Sequence, residues 1–165
     1  MEIVLTILAV ASLEVYLRGV LPAEMIPTWP AEALKVGAIC ARSYAAWRYL
    51  HPRSESFALY GDDRDQVWRP DLMTPATDRA VAATTGLVVT REGQVVCTQY
   101  VAKCGRPDCP LCQGQNGYDG KTWAGRLCQY GARKMAEEGM SAIEILRHYY
   151  GEHVVLLDVE NLLGG

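Results

Sequence analysis

Six cysteines lie in this 165-residue chain, and three of them, Cys104, Cys109 and Cys112, fall within nine residues. The run Cys109-Pro110-Leu111-Cys112-Gln113-Gly114 has the C-x2-C spacing and trailing glycine of a metal knuckle, in which turning backbone amides support thiolate ligands. With Cys104 as a third ligand and Cys128 or Cys97 as a fourth, the pattern describes a structural zinc site that anchors a long loop. In an oxidising compartment the same residues form disulfides instead, and unpaired thiols are a third state. The knuckle spacing favours the metal. Cys40, on an alanine-rich helix, reads as a small core residue.

Glu24 is flanked by Leu21, Met25, Ile26 and Trp29, apolar neighbours of the kind that raise a carboxyl pKa toward the range useful for proton transfer. From this context alone a surface carboxylate at a helix end is the commoner outcome. Arg42 falls mid-helix, where a guanidinium pairs with a carboxylate or hydrogen-bonds a hydroxylated ligand. Gln129 and Tyr130 offer amide hydrogen bonds and a stacking ring, against core packing for the tyrosine. Trp29 and Trp68 line a groove or fill the core. Cys128 near a helix N-terminus, with His148 as base, would make a cysteine hydrolase, although nothing in the spacing compels it. None of the three histidines, His51, His148 and His153, is given a ligand role.

The elements that must position these groups follow from pattern. Residues 3–10 read as a strand. Ser12 suits a helix cap, and Leu13, Tyr16, Leu17 and Val20 recur at helical spacing until Pro22 stops them. A stiff loop crosses Pro27 and Pro30. Ala33, Leu34, Ala38, Ala41 and Ala45 then form one small-residue helix face ending before Pro52. Residues 57–70 read as a loop or irregular hairpin. Thr74-Pro75 opens a helix that closes on Gly86, and residues 87–90 and 94–102 form a hairpin around Arg91-Glu92-Gly93. Residues 104–122 are loop, 127–138 are helical, and Ser141 with Glu144 forms a capping box for a last helix before a strand at 154–157. The expectation is one mixed α+β domain over residues 1–165, with several helices packed on short, mainly antiparallel strands.

Composition closes off other classes. Sixteen Lys and Arg against nineteen Asp and Glu give a formal charge of −3, so a nucleic-acid surface is not expected. No apolar run is long enough for a membrane span. The start of the chain lacks the basic segment and cleavage site of a secretory signal, so either the chain is cytoplasmic or a leader lies outside this numbering.

Several blocks, in order, resemble the SpoIID/LytB family of stage II sporulation protein D and amidase enhancers. They are Leu17-Arg18-Gly19-Val20-Leu21-Pro22-Ala23-Glu24-Met25, Trp29-Pro30-Ala31-Glu32-Ala33-Leu34-Lys35, Ala41-Arg42-Ser43-Tyr44-Ala45, Ala76-Thr77-Asp78-Arg79, Thr85-Gly86-Leu87-Val88-Val89-Thr90, Gln129-Tyr130-Gly131-Ala132-Arg133, and the helix ending His148-Tyr149-Tyr150. The resemblance implies a SpoIID-like fold and an envelope protein acting on peptidoglycan, in sporulation members a lytic transglycosylase on denuded glycan strands. It also implies Glu24 as the catalytic acid and Arg42 as a second active residue, and Ser43, Trp29, Gln129 and Tyr130 are expected against substrate. The amidase-enhancer branch implies the alternative, a non-catalytic glycan-binding partner of a cell-wall amidase. No organic cofactor is implied. Three departures stand out. Ile26 separates Met25 from Pro27. The family's Gly-His-Gly stretch reads Thr122-Trp123-Ala124-Gly125-Arg126. The loop at 57–67 offers Tyr60, Asp62, Asp63 and Asp65 where some relatives place metal ligands.

Overall fold

The computed structural model describes residues 2–3, 10–114 and 126–163. The chain folds as a mixed α+β structure in which the long helix α2 (Ala31–Leu50) is the central element. Its middle is buried almost without break, from Ala33 to Ala46, and the small side chains that the sequence places there let neighbours approach closely on both sides. Gly37 shows how close. A Cβ there would sit 2.8 Å from Met25 Cε and 2.9 Å from Leu21 Cδ1, contacts that real side chains do not make.

Two apolar cores flank α2. One gathers Leu13, Leu17, Val20 and Leu21 of α1 (Val10–Glu24) with Ala80 and Val81 of α3 (Pro75–Ala83). The other gathers Val36, Ile39 and Cys40 with the cysteine cluster, α4 (Gln129–Glu137) and α5 (Ala142–Tyr150). The strands are short. β1 (Glu2–Ile3) pairs antiparallel with β2 (Leu59–Tyr60). β3 (Leu87–Arg91) lies between β4 (Gln94–Val95) and β7 (Val155–Asp158), antiparallel to both. β5 (Tyr100–Val101) and β6 (Leu127–Cys128) pair in parallel. A 3-10 turn at Pro70–Leu72 and a short α6 (Glu160–Leu163) complete the chain.

Several boundaries differ from the sequence expectations. α1 starts at Val10 rather than Ser12 and runs through Pro22 to Glu24. Proline deletes only its own N–H and crowds the carbonyl four residues back, and in the same turn the Gly19 carbonyl accepts the Arg69 N–H at 2.8 Å. Of the strand expected at 3–10, residues 4–9 lie outside the described residues. The hairpin forms, with Glu92 and Gly93 both at positive φ, 52° and 77°, as a two-residue type I′ turn requires. Its second arm ends early, because Thr98 Oγ1 donates to the Cys40 carbonyl at 2.7 Å and draws the chain across α2. Tyr100 and Val101 therefore pair with β6 instead. The helix expected from 127 begins at Gln129, after β6. Residues 115–125, which include most of the departure at 122–126, lie outside the described residues. No helix among the described residues is long and apolar enough to cross a membrane.

Candidate functional site

Glu24 occupies the last position of α1, and its carboxyl is partly buried. Burial pushes its pKa up, and the Val67 N–H, donating to Oε1 at 2.9 Å, opposes that shift. The Gln129 amide Nε2 donates to the Glu24 backbone carbonyl at 2.9 Å, joining the start of α4 to the end of α1. Trp29, in the turn after α1, meets Tyr130 edge to face with centroids 4.9 Å apart. Four of the expected residues, Glu24, Trp29, Gln129 and Tyr130, are thus brought to one place. Trp29 is only 7% exposed, so its indole is chiefly a packing surface there, with Arg133 over its ring.

The space beside the acid is small. The pocket walled by Glu24, Met25, Gly37, Tyr100, Leu127 and Gln129 holds about 10 Å³, the room of a single water. Tyr100 also lines a larger polar cleft of about 140 Å³, with Tyr44, Arg64, Asp65, Gln99 and Arg126. Its hydroxyl is pushed up by burial and further by the Glu24 charge.

Three consecutive residues that the sequence did not single out as a unit hold this arrangement. Asp65 accepts from the Tyr44 hydroxyl at 2.5 Å, Arg53 Nη2 at 2.7 Å and the Tyr60 N–H at 2.9 Å. Gln66, fully buried, accepts from the Tyr16 hydroxyl at 3.0 Å and donates to the Tyr100 hydroxyl at 3.0 Å and the Ala41 carbonyl at 3.1 Å. Val67 then presents its N–H to Glu24. Trp68, expected either to line a groove or to fill the core, packs its indole against Gly19, where an added Cβ would lie 2.5 Å from Nε1. The only signal for this strap in the sequence is the density of polar residues between the second helix and Pro70.

Arg42 and Ser43 lie elsewhere. Arg42 is fully buried, and its guanidinium forks onto Glu14, Nε to Oε1 and Nη2 to Oε2, both at 2.7 Å. Its remaining donors reach the Leu87 carbonyl at 3.1 Å and Thr84 Oγ1 and the Val81 carbonyl at 3.3 Å. Glu14 and Glu24 are ten residues apart on one helix, roughly 15 Å along its axis, so this pair braces α1, α2, α3 and β3 away from the acid. The Ser43 hydroxyl donates to the Ile39 carbonyl at 2.6 Å and accepts the Val89 N–H at 2.8 Å. It ties α2 to β3.

Cys104, Cys109, Cys112 and Cys128 converge. All four are buried, and their sulfur atoms lie within 4.8 Å of one another. Cys112 and Cys128 are 3.8 Å apart at sulfur, close to the edge of about 3.8 Å that a tetrahedron with 2.3 Å zinc–sulfur bonds requires. No disulfide joins any of the six cysteines. Backbone N–H groups turn toward the sulfurs, Arg106 N–H to Cys104 at 3.4 Å and Gly131 N–H to Cys128 at 3.2 Å. The neighbouring Cys128 thiol, the Tyr149 hydroxyl at 3.4 Å and the backbone amides of the knuckle hold Cys109 well below the usual thiol range. Cys128 is fully buried among the other three thiols, closed off from any substrate that a cysteine nucleophile would attack. Cys97, the other candidate fourth ligand, is outside the cluster. Cys40 is buried, with its thiol pushed up to about 12 by desolvation.

The mixed α+β fold thus carries a partly buried carboxyl at the end of α1, linked through Gln129 to the four-thiol cluster at the start of α4. The family model for stage II sporulation protein, SpoIID, matches residues 3–90, just over half of the chain, and the chain belongs to that family. The match associates it with sporulation and the cell wall. A protein of Brachyspira hyodysenteriae (strain ATCC 49526 / WA1), described as uncharacterized, is 35% identical over 96 residues, which is 57% of this chain and 26% of that protein. The match thus spans about a quarter of that relative's length.

Proposed function

We propose that the chain cleaves peptidoglycan glycan strands stripped of stem peptides, as a lytic transglycosylase with Glu24 as its one general acid/base. The observation that supports this most directly is the state of that carboxyl. It is partly buried with a raised pKa, one oxygen is held by the Val67 N–H, and Gln129 fixes the backbone beneath it. An ordinary glycosidase needs two carboxylates across the scissile bond. Here one is enough, because the sugar's own C6 hydroxyl attacks its anomeric carbon. Glu24 gives its proton to the leaving glycosidic oxygen and takes one back from that hydroxyl as the anhydro ring closes, so proton and charge balance over the cycle. Glycan lies along the polar cleft shared by Tyr100, with Gln129 and Tyr130 flanking the acid. Arg42 acts as a brace in this reading, without contact to the sugar.

The four cysteines hold a structural Zn²⁺. Four buried thiolates match a closed tetrahedral site with no position left for substrate, so the metal joins the Cys104–Cys112 run to Cys128 and takes no part in bond cleavage. No organic cofactor is required. The partners are glycan strands at the cell envelope, not nucleic acid.

A second reading is a glycan-binding module that stimulates a cell-wall amidase. It is favoured by one observation, the water-sized space beside Glu24. Purified protein incubated with denuded glycan separates the two. Release of anhydro-terminated fragments, reduced about 10²–10⁴-fold in Glu24→Gln with the fold intact, supports the enzyme. Retention on glycan without turnover, together with stimulation of a separate amidase, supports the module.

A further inference from the structure

We propose that the four-cysteine centre is a positioning device for Glu24: metal held by Cys104, Cys109, Cys112 and Cys128 locks β5 to β6 and so seats Gln129 on the Glu24 carbonyl. The inference rests on the zinc reading above and not on glycan cleavage.

The route is short and continuous. Cys128 is at once the last residue of β6, a member of the thiol cluster and the N-cap of α4, its sulfur accepting the Gly131 N–H. The next residue is Gln129, which bonds the Glu24 carbonyl, and the one after is Tyr130, which packs on Trp29. On the other side, Tyr100 lies four residues before Cys104 and closes both the acid's pocket and the polar cleft. Tyr100 and Leu127, opposite one another in the β5·β6 pair, are both walls of the Glu24 pocket, and Val101 stands opposite Cys128. A pair of two-residue strands has little stability of its own. What holds these strands together is therefore the packing and bonding at their ends, and one end of each leads straight into a cysteine. A tetrathiolate metal crosslinks those ends through four bonds to sulfur, which the metal-free cluster lacks.

Helix α4 is fitted to the centre as closely as its backbone allows. A Cβ on Gly131 would strike the Tyr149 hydroxyl and lie 2.8 Å from Cys109 Sγ and 3.1 Å from Cys128 Cβ. Movement of the cysteines on metal loss is thus transmitted to the first turn of α4, which carries Gln129 and Tyr130. Gln129 is the positioning residue and Glu24 the group it positions.

Coupling of this kind is reciprocal, which gives a test that needs no glycan. The whole protein, reduced and stripped of metal, is titrated with Co²⁺, whose thiolate charge-transfer absorption reports tetrahedral sulfur ligation. The same titration is run on Gln129→Ala and on Lys134→Ala, a half-exposed position on α4 whose ammonium pairs with Glu138. We expect the band at one equivalent in all three. Loss of the Gln129 amide bond should weaken Co²⁺ binding about fivefold, and Lys134→Ala should leave it unchanged. In the parent chain the Trp29 indole N–H resonance, assigned with Trp29→Phe, should shift between zinc-loaded and chelated protein as Tyr130 moves, while that of Trp47, stacked on His51, should stay. This second measurement decides the matter if Gln129→Ala does not fold. Absence of the thiolate band overturns the zinc reading and the coupling with it. A normal band with equal affinity in Gln129→Ala, or a Trp29 resonance indifferent to metal, overturns the coupling alone. Neither outcome bears on whether Glu24 cleaves glycan.

Discussion

Replacing Arg42 with Met separates a brace from a catalytic group. Arg42 is fully buried, and the side chain of its partner Glu14 is 15% exposed. Removing one member of a buried ion pair costs about 3–5 kcal/mol, because the other charge is left unpaired. The partial hydration of Glu14 places the loss near the lower end, about 3 kcal/mol. For a domain of this size each kcal/mol lowers Tm by about 2–4 °C, so Arg42→Met should melt about 6–12 °C below the parent. Adding Glu14→Gln removes the orphaned charge and should recover part of the loss. Arg42→Lys keeps a charge but cannot fork onto the carboxylate or reach Thr84 and the Leu87 carbonyl together, and should fall between. Melting followed by circular dichroism gives the stabilities, and glycan cleavage at a temperature well below every midpoint gives the activity. The reasoning is refuted if Arg42→Met melts within about 2 °C of the parent, or if Arg42→Lys keeps the parent Tm yet abolishes cleavage.

Two further outcomes follow from the same geometry. The folded-state pKa of Glu24 is raised, so the native protein binds this proton more tightly than the unfolded chain, and its stabilising share is full below the unfolded pKa and lost as pH rises through the folded one. Glu24→Gln should therefore gain stability over the parent at neutral pH and lose that advantage in acid, while cleavage by the parent declines as pH rises past the same ionisation. Denaturant midpoints across pH measure the first, and an unchanged difference at all pH values would count against the burial of the carboxyl. Gly131→Ala, which in an exposed helix would be stabilising by about 1 kcal/mol, should instead cost up to about 3 kcal/mol from overpacking against Tyr149 and Cys109. A Gly131→Ala variant more stable than the parent would show that α4 does not press on the cysteines.

Local signals made much of this fold readable. The alanine face of α2, the Thr74-Pro75 and Ser141/Glu144 helix starts, and the Glu92-Gly93 turn each specify their conformation within a few residues, and each is found where expected. Glu144 Oε2 accepts the Ser141 N–H at 2.8 Å, as a capping box should. Pro22 misled because a proline two residues before the end of a helix removes a single N–H and so forfeits only one bond of the ladder, and α1 ends at Glu24 in any case. The hairpin arm beyond Val96 misled because its fate depends on Thr98 meeting a carbonyl of α2, 58 residues earlier. Cys109 and Cys112 were legible as a pair from spacing, and Cys104 and Cys128 join them in space. Glu24 is legible through the family resemblance and Gln129, Tyr130 and Trp29 through their side-chain chemistry, and the structure gathers them. Arg42 carried two readings, and its partner Glu14 lies 28 residues upstream, a pairing no local pattern records. The strap of Asp65, Gln66 and Val67 has no period at all, since each residue serves a different element.

The position of α2 between two separate cores has a practical corollary for anyone dissecting the molecule. A fragment cut after Thr90 would keep α1, α3 and one flank of α2, but it would strip the cover from Val36, Ile39, Cys40 and Val89 and leave β3 without its partner at Val155–Asp158. Such a truncate should be sticky and prone to self-association, and any attempt to graft or express the front half needs the rear helices carried along as its shield.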